Sequence, residues 1–345
     1  MARSDRQRFE ELLAQFEPEV RKAFKDAVND LRSNADLKRV VEALERKDIT
    51  AAIRALNIDP AAFFGLDRAI RSAYNTSGLS AVAALPVIRS ASGARLVIRF
   101  DGRAPRAERW LSNRSGSLIT SITDDIRVAA RNALQAGLEV GQNPRRTALS
   151  LIGRIDRTTG RRVGGSIGLT STQEEWTRTA YADLVSGDAE RMRHYLTLNR
   201  RDRRLDRAVL TAIRDGTAID AETAARMVGR LSDSYLQLRG ETIARTETLT
   251  ALNAAKREAF EQVVDQGVPR QNIKKYWSAT RDNRTRDTHA AMQGQEVGID
   301  DPFVSPSGAQ MMYPGDTSLG AGPAETIQCR CLHSYRISQF VADLE

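Results

Sequence analysis

Two cysteines and three histidines are all the thiol and imidazole side chains that this 345-residue chain contains. The cysteines, Cys329 and Cys331, are separated by one residue. Within an extended strand that spacing is a poor fit to disulfide geometry, so no disulfide framework is expected. Aromatic residues are only 6% of the chain, which leaves the interior to Leu, Ala, Val and Ile and suits a helix-rich protein. No apolar run is long enough to cross a bilayer; the longest, Gly78 to Ile88, is broken by Pro86. The first ten residues are charged and amphipathic, with no apolar core of a secretory signal. A reducing cytoplasm is the expected place of synthesis, without membrane association. Also missing are a Gly-x-Ser-x-Gly elbow, a phosphate loop ending in Gly-Lys-Ser/Thr, and a His-Glu-x-x-His helix.

The chain is 41% hydrophobic and 28% charged, with a formal net charge of +8 carried mainly by arginine. Its length allows two or three domains with real cores. A basic surface attracts polyanions, although an arginine-rich composition alone produces the same balance. The densest basic stretch runs from Arg191 to Arg214 and reads as helical. Within it Arg200, Arg201, Arg203, Arg204 and Arg207 are candidates for contact with double-stranded DNA. A second series runs from Arg89 to Arg109. Neither is interleaved with aromatics, so any contact is expected with phosphates and independent of sequence. The plainer reading is a solvated charged helix face.

The pattern predicts a mainly α protein: a helix-rich N-terminal region and a small α+β C-terminal module built from a long helix and short strands. Residues 1–90 read as an N-terminal helical region, with Phe9, Leu12, Leu13, Phe16 and Val20 at helical spacing. Residues 91–190 read as a helical middle region. It includes a strand from Ala94 to Phe100, a helix from about Pro105 to Gly141, and a Gly-rich hairpin or arm over 154–170. Ser171 to Glu174 reads as a capping box. Residues 191–345 form the third region, with Asp220 capping a helix that runs to about Gln266. Along that helix Val228, Leu231, Tyr235, Leu238, Leu249 and Leu252 keep one apolar phase, while Thr242 and Arg245 interrupt it. Either Gly240 kinks the helix, or Arg245 joins a buried polar knot with Glu241, Glu247 or Asp282.

The rare side chains gather in the last third. Taken as a strand, residues 327–333 place Cys329, Cys331 and His333 on one face. With His289 as a fourth ligand they make a candidate structural zinc site; the competing reading is buried structural thiols. Asp282, Arg284, Arg286 and His289 are either an acid/base set or a hydrogen-bonded network that pins a turn. The enzymatic alternative is a metal-dependent nuclease or hydrolase using His289 and Asp282. Another alternative is a free DNA-binding regulator.

Several motifs occur together in order: Ile243-Ala-Arg-Thr-Glu-Thr248 on a helix, then Asn253 and Ala254, then Trp277 to His289, Gly294, Tyr313-Pro314-Gly315-Asp316 and Cys329-Arg-Cys331. Over roughly residues 190–336 this arrangement resembles the phage head morphogenesis domain of Mu F-like minor head proteins in tailed bacteriophages and prophages. Gln328 departs from the Asn often found before the first cysteine. The resemblance implies a structural motif of Arg245, Glu247, Trp277, Asp282, Arg284, Arg286, His289, Tyr313, Pro314, Gly315, Asp316, Cys329 and Cys331. It implies a virion component without enzymatic activity or cofactor, made in the host cytoplasm and carried in the head interior or at the portal vertex. The implied partners are the portal protein, capsid or scaffolding protein, and packaged DNA, and the implied roles are head morphogenesis and DNA packaging or ejection.

Overall fold

Side-chain caps set where most helices begin. In the computed structural model, which describes residues 4–89 and 93–338, the chain forms α1 (Asp5–Asn34), α2 (Leu37–Glu45), α3 (Ile49–Ala55), α4 (Phe64–Ala83), α5 (Pro105–Glu139), α6 (Pro144–Ile152), α7 (Ser171–Leu184), α8 (Ala189–Thr197), α9 (Asp206–Asp215) and α10 (Ala221–Asp265). Asp36, Asp48, Asn143 and Asp188 each accept from the amide three residues on, and Asp220 accepts from the Glu222 and Thr223 amides. These bonds satisfy amides that have no partner inside the helix. The chain is mainly α, 62% helical, with a small α+β module at its C-terminal end. Among the described residues no helix is long and apolar enough to cross a membrane.

Three local expectations need correction. The capping box is Thr170 with Gln173, one residue earlier than the Ser171–Glu174 reading; Glu174 is instead buried, and burial pushes its carboxyl up to about 7. The stretch Ala94 to Phe100 is extended but joins no sheet beyond a single bridge between Arg89 and Arg95. Its backbone is bound by side chains in the last turn of α10 and just beyond it. The Gln266 amide pairs with the N–H and C=O of Arg99, and the Gln262 amide does the same for Asp101. Leu96 and Ile98 still point inward against Ile88, Phe260, Val263 and Ile273, which is why the alternation resembles a strand. The basic run from Arg191 to Arg214 is two helices, α8 and α9, joined by a turn in which Asp202 accepts from the Arg204 amide.

Two compact units interleave along the chain. One comprises Ala23–Gly65 and Gly116–Gly240; the other comprises Leu66–Ser115 and the described residues of Met1–Lys22 and Glu241–Glu345. In the former, β1 (Arg154–Ile155) and β2 (Arg162–Val163) make an antiparallel hairpin. The Gly-rich stretch that follows is buried rather than an arm. Gly164, at φ +74°, lies so close to Gly229 that a Cβ would come within 2.8 Å of its Cα. Two buried arginines hold the segment: Arg32 donates to the carbonyls of Ile167 (3.1 Å) and Gly165, and Arg239 to that of Gly168 (3.0 Å). Arg239 is also paired with Asp125 at 2.9 Å, so its charge is not left uncompensated.

The other unit holds the candidate site. The second half of α10 is buried nearly all round from Ala244 to Phe260. A three-stranded antiparallel sheet accompanies it, with β3 (Ile273–Ser278) between β4 (Glu296–Gly298) and β7 (Leu332–Ile337). The register pairs Trp277 with His333 and Lys275 with Tyr335. The short pair β5 (Phe303–Val304) and β6 (Gln310–Met311), with the single-turn helices α11 (Asp287–Ala291) and α12 (Pro323–Thr326), fills the connections.

Candidate functional site

Strand β3 alternates buried and half-exposed residues, and Ile273, Lys275 and Trp277 face inward. Trp277 packs edge-on against both His289 and Phe303, at ring-centroid distances of 5.2 and 5.3 Å. His289 sits on α11 with only 1% of its surface exposed. Its Nδ1 lies 3.5 Å from Cys329 Sγ and 3.5 Å from Cys331 Sγ. On the other side of the ring, Nε2 is 2.8 Å from a carboxylate oxygen of Glu325, an ion-pair approach without the alignment of a good hydrogen bond. Glu325 is itself held by Thr288 (3.1 Å) and Ser307 (2.7 Å). Both cysteines are free thiols and almost fully buried. A bond from its neighbour Cys329, helped by His289, holds the Cys331 thiol below the ordinary range, while the same bond and burial push Cys329 up.

His333 is not part of this cluster. Strand β7 begins at Leu332, after both cysteines, so the single alternating strand expected over 327–333 does not form. The His333 ring reaches Asn253 Oδ1 (3.0 Å) through Nδ1 and the Tyr335 hydroxyl (3.2 Å) through Nε2. Burial, with Lys256, Lys275 and Arg257 nearby, keeps it well below the usual imidazole range and hence neutral. Lys256 donates to the His333 carbonyl (3.1 Å) and to Asp5 (2.7 and 2.8 Å), and Asp5 also accepts from Ser334.

The remaining motif residues make separate bracing contacts. Asp282, on the surface, takes a two-pronged bond from Arg330 (2.5 and 2.6 Å), which holds its carboxyl far below the ordinary range. It also accepts from the Arg284 amide (3.0 Å), while the Arg284 side chain is exposed. Arg286 donates to the Ile327 carbonyl. Glu247 is buried and receives both prongs of Arg114 (2.7 and 2.8 Å). Arg245 pairs with Glu17 at 3.0 Å, while Glu247 is taken by Arg114 and Asp282 by Arg330. Thr242 and Thr246 accept from the side chain and the amide of Gln328 (2.8 and 3.0 Å), so Thr242, on the apolar phase of α10, has a polar partner. Gln328 has φ +54°, the left-handed region that Asn enters more readily than Gln.

Tyr313 to Asp316 is a tight turn closed by the Asp316 amide on the Tyr313 carbonyl (3.0 Å). Pro314 suits the second position and Gly315, at φ +88°, the third. Asp316 braces the turn by accepting from the amides of Met312 and Ser318 (both 2.9 Å), and the Tyr313 hydroxyl accepts from Trp110 (2.9 Å). Sequence reasoning missed Glu325, Arg114 and Lys275, whose partners lie far along the chain and leave no local signal; Asn253 stood in the motif series, but its partner His333 was not foreseen. Arg330 was legible in principle, since it sits on the opposite phase from the two cysteines.

Among the arginines expected to meet DNA, Arg201 is bound two-pronged by Asp206 (2.9 and 2.8 Å) and Arg204 by Asp202 (2.9 and 2.8 Å). Arg203 and Arg207 are exposed, and Arg200 is half-buried. All five lie in the unit that does not contain the cysteines.

A buried tryptophan–histidine–thiol cluster, a braced Tyr-Pro-Gly-Asp turn and a helix-backed three-stranded sheet define a small, internally pinned α+β module. Residues 203–334, somewhat more than a third of the chain, match the family described as Phage Mu protein F like protein. The chain is also similar to the NAD(+)--arginine ADP-ribosyltransferase EFV of Enterococcus faecalis, with 31% identity over 123 residues, which is 36% of this chain and 23% of that protein. It resembles the uncharacterized protein YqbB of Bacillus subtilis at 32% identity over 98 residues, 28% of this chain and 30% of YqbB. The matched segments thus span less than a third of the length of either relative. No solved structure matches the chain.

Proposed function

We propose that this chain is a minor head protein of a tailed phage or prophage, a particle component that takes part in head assembly. The Mu F-like match over residues 203–334 carries the reading. The site chemistry supports it: the groups able to act as acids, bases or nucleophiles are engaged with one another. His289 is enclosed by Cys329, Cys331 and Glu325, whereas Asp282 is neutralised by Arg330 and shares none of these partners. This arrangement favours bracing over turnover and disfavours a nuclease in which His289 and Asp282 act together. The ADP-ribosyltransferase activity in the name of one relative belongs to that protein, 23% of which is matched.

In this reading the chain is made in the host cytoplasm, joins the head during assembly and associates with the portal vertex, with capsid or scaffolding protein and packaged DNA as neighbours. The basic face carrying Arg200, Arg203 and Arg207 lies against DNA phosphates, and the protein acts in packaging or ejection. Mass spectrometry of purified particles from the encoding phage tests the central claim. Presence at low copy is expected, and reproducible absence from DNA-filled heads overturns it. For the DNA interface, charge reversal of Arg200, Arg203 and Arg207 should weaken duplex binding at least tenfold. It should also reduce the slope of log K against log salt by about two to three, at roughly 0.9 for each phosphate that is no longer neutralised. An unchanged slope removes these residues from the interface.

A further inference from the structure

The distances around His289 support a second conclusion, independent of the head-protein reading. We propose that His289 Nδ1, Cys329 Sγ and Cys331 Sγ bind one zinc ion, with Glu325 holding the far side of the imidazole. Among the described residues these three form the group whose donor atoms all lie within 4.8 Å of one another and can hold a metal. A tetrahedral centre with bonds of about 2.0–2.1 Å to nitrogen and about 2.3 Å to sulfur has N···S edges of about 3.5–3.6 Å. Both N···S distances here are 3.5 Å. Hydrogen bonds between thiols and imidazole would give similar separations, and the far side of the ring adds a second observation.

That observation is Glu325. Its carboxylate, fixed by Thr288 and Ser307, lies 2.8 Å from Nε2, outside the alignment of a good hydrogen bond yet close enough for its negative charge to favour a proton on that nitrogen. The Nδ1 lone pair then points at the two sulfurs. A carboxylate on the far nitrogen of a metal-bound histidine is a recurrent arrangement that sets the tautomer and raises ligand basicity. An edge contact from Trp277 fixes the ring from a third direction.

Charge and protons balance. Binding Zn²⁺ releases the two thiol protons to solvent, and two thiolates with a neutral imidazole leave the ion and its ligands without net charge, as a buried centre requires. Three protein ligands leave the fourth position to a solvent oxygen. The centre ties α11 to the Cys329–Cys331 segment, far along the chain, in a module whose strands are short.

The test uses the full chain purified under reducing conditions without added metal or chelator. Elemental analysis should find close to one zinc per chain. After chelator treatment, cobalt(II) should restore a thiolate-to-cobalt charge-transfer band, absent in Cys329→Ser and Cys331→Ser. Glu325→Gln should bind metal about 10- to 100-fold more weakly yet saturate at the same stoichiometry. His333→Ala should retain full stoichiometry and the cobalt band, because its ring lies against Asn253 and Tyr335. Zinc well below stoichiometric in the unaltered chain, together with no cobalt band, overturns the proposal without reference to any variant. A cobalt band that survives in both cysteine variants overturns the ligand assignment.

Discussion

A lysine at an inward-facing strand position has to find compensation, and Lys275 finds little. Its side chain is buried, donates to the Met312 carbonyl at 2.9 Å and lies 5.1 Å from the centre of the Phe303 ring. Burial, reinforced by Arg257, lowers its amine from the ordinary 10.5 to about 7. Between those two values the unfolded chain binds more protons than the folded one, so stability must rise with pH across this window. Denaturation midpoints measured from pH 7 to 10 should therefore climb, with a slope of up to about 1.4 kcal/mol per pH unit from this group. In Lys275→Met that contribution should vanish and stability below pH 7 should increase. An unchanged pH slope in the variant would show that the amine titrates normally. Lys275 was invisible to sequence reasoning because an amphipathic strand reads a lysine as an outward residue. Gln328 was legible only as a departure from a motif, and its left-handed backbone supplies the reason for the preference it departs from.

At the level of elements, the long helices α5 and α10 and their ends followed from apolar spacing and from Asn143-Pro144 and Asp220. The extended segment from Ala94 to Phe100 did not, because alternation reports which side chains turn inward and says nothing about what satisfies the backbone. Here two glutamine side chains, one in the last turn of α10 and one just past its end, replace a neighbouring strand, a choice with no local signature. The Tyr-Pro-Gly-Asp turn is the element most fully written in sequence. A Cβ at Gly315 would come 2.6 Å from Thr250 Oγ1 in addition to occupying φ +88°. Gly315→Ala should therefore cost about 2–4 kcal/mol in equilibrium unfolding. Gly308, at φ +82° with open space around it, provides the comparison: Gly308→Ala should cost only about 1–2 kcal/mol of backbone strain. Equal losses at the two positions would mean that the turn does not press on α10. The site was legible as a set of residues but not as a geometry. Cys329, Cys331 and His289 do come together, while His333 joins Asn253 because β7 starts one residue after Cys331.

At the scale of the molecule, the polar chain from Asp5 through Lys256 to His333 and Ser334 brings the beginning of α1 to β7, 329 positions later. Such closure is made by no covalent bond, and nothing in the local sequence announces it. Because Asp5 and Ser334 are in hydrogen-bonding contact, a linker between these two segments has little distance to span. A chain whose termini are joined by a flexible linker, and which is opened instead at the exposed turn around Thr158 and Thr159 in the β1–β2 hairpin, should reach the same helical content by circular dichroism with a melting temperature within a few degrees. Collapse of that permuted chain would indicate that the order of synthesis, rather than the final set of contacts, directs assembly of the module.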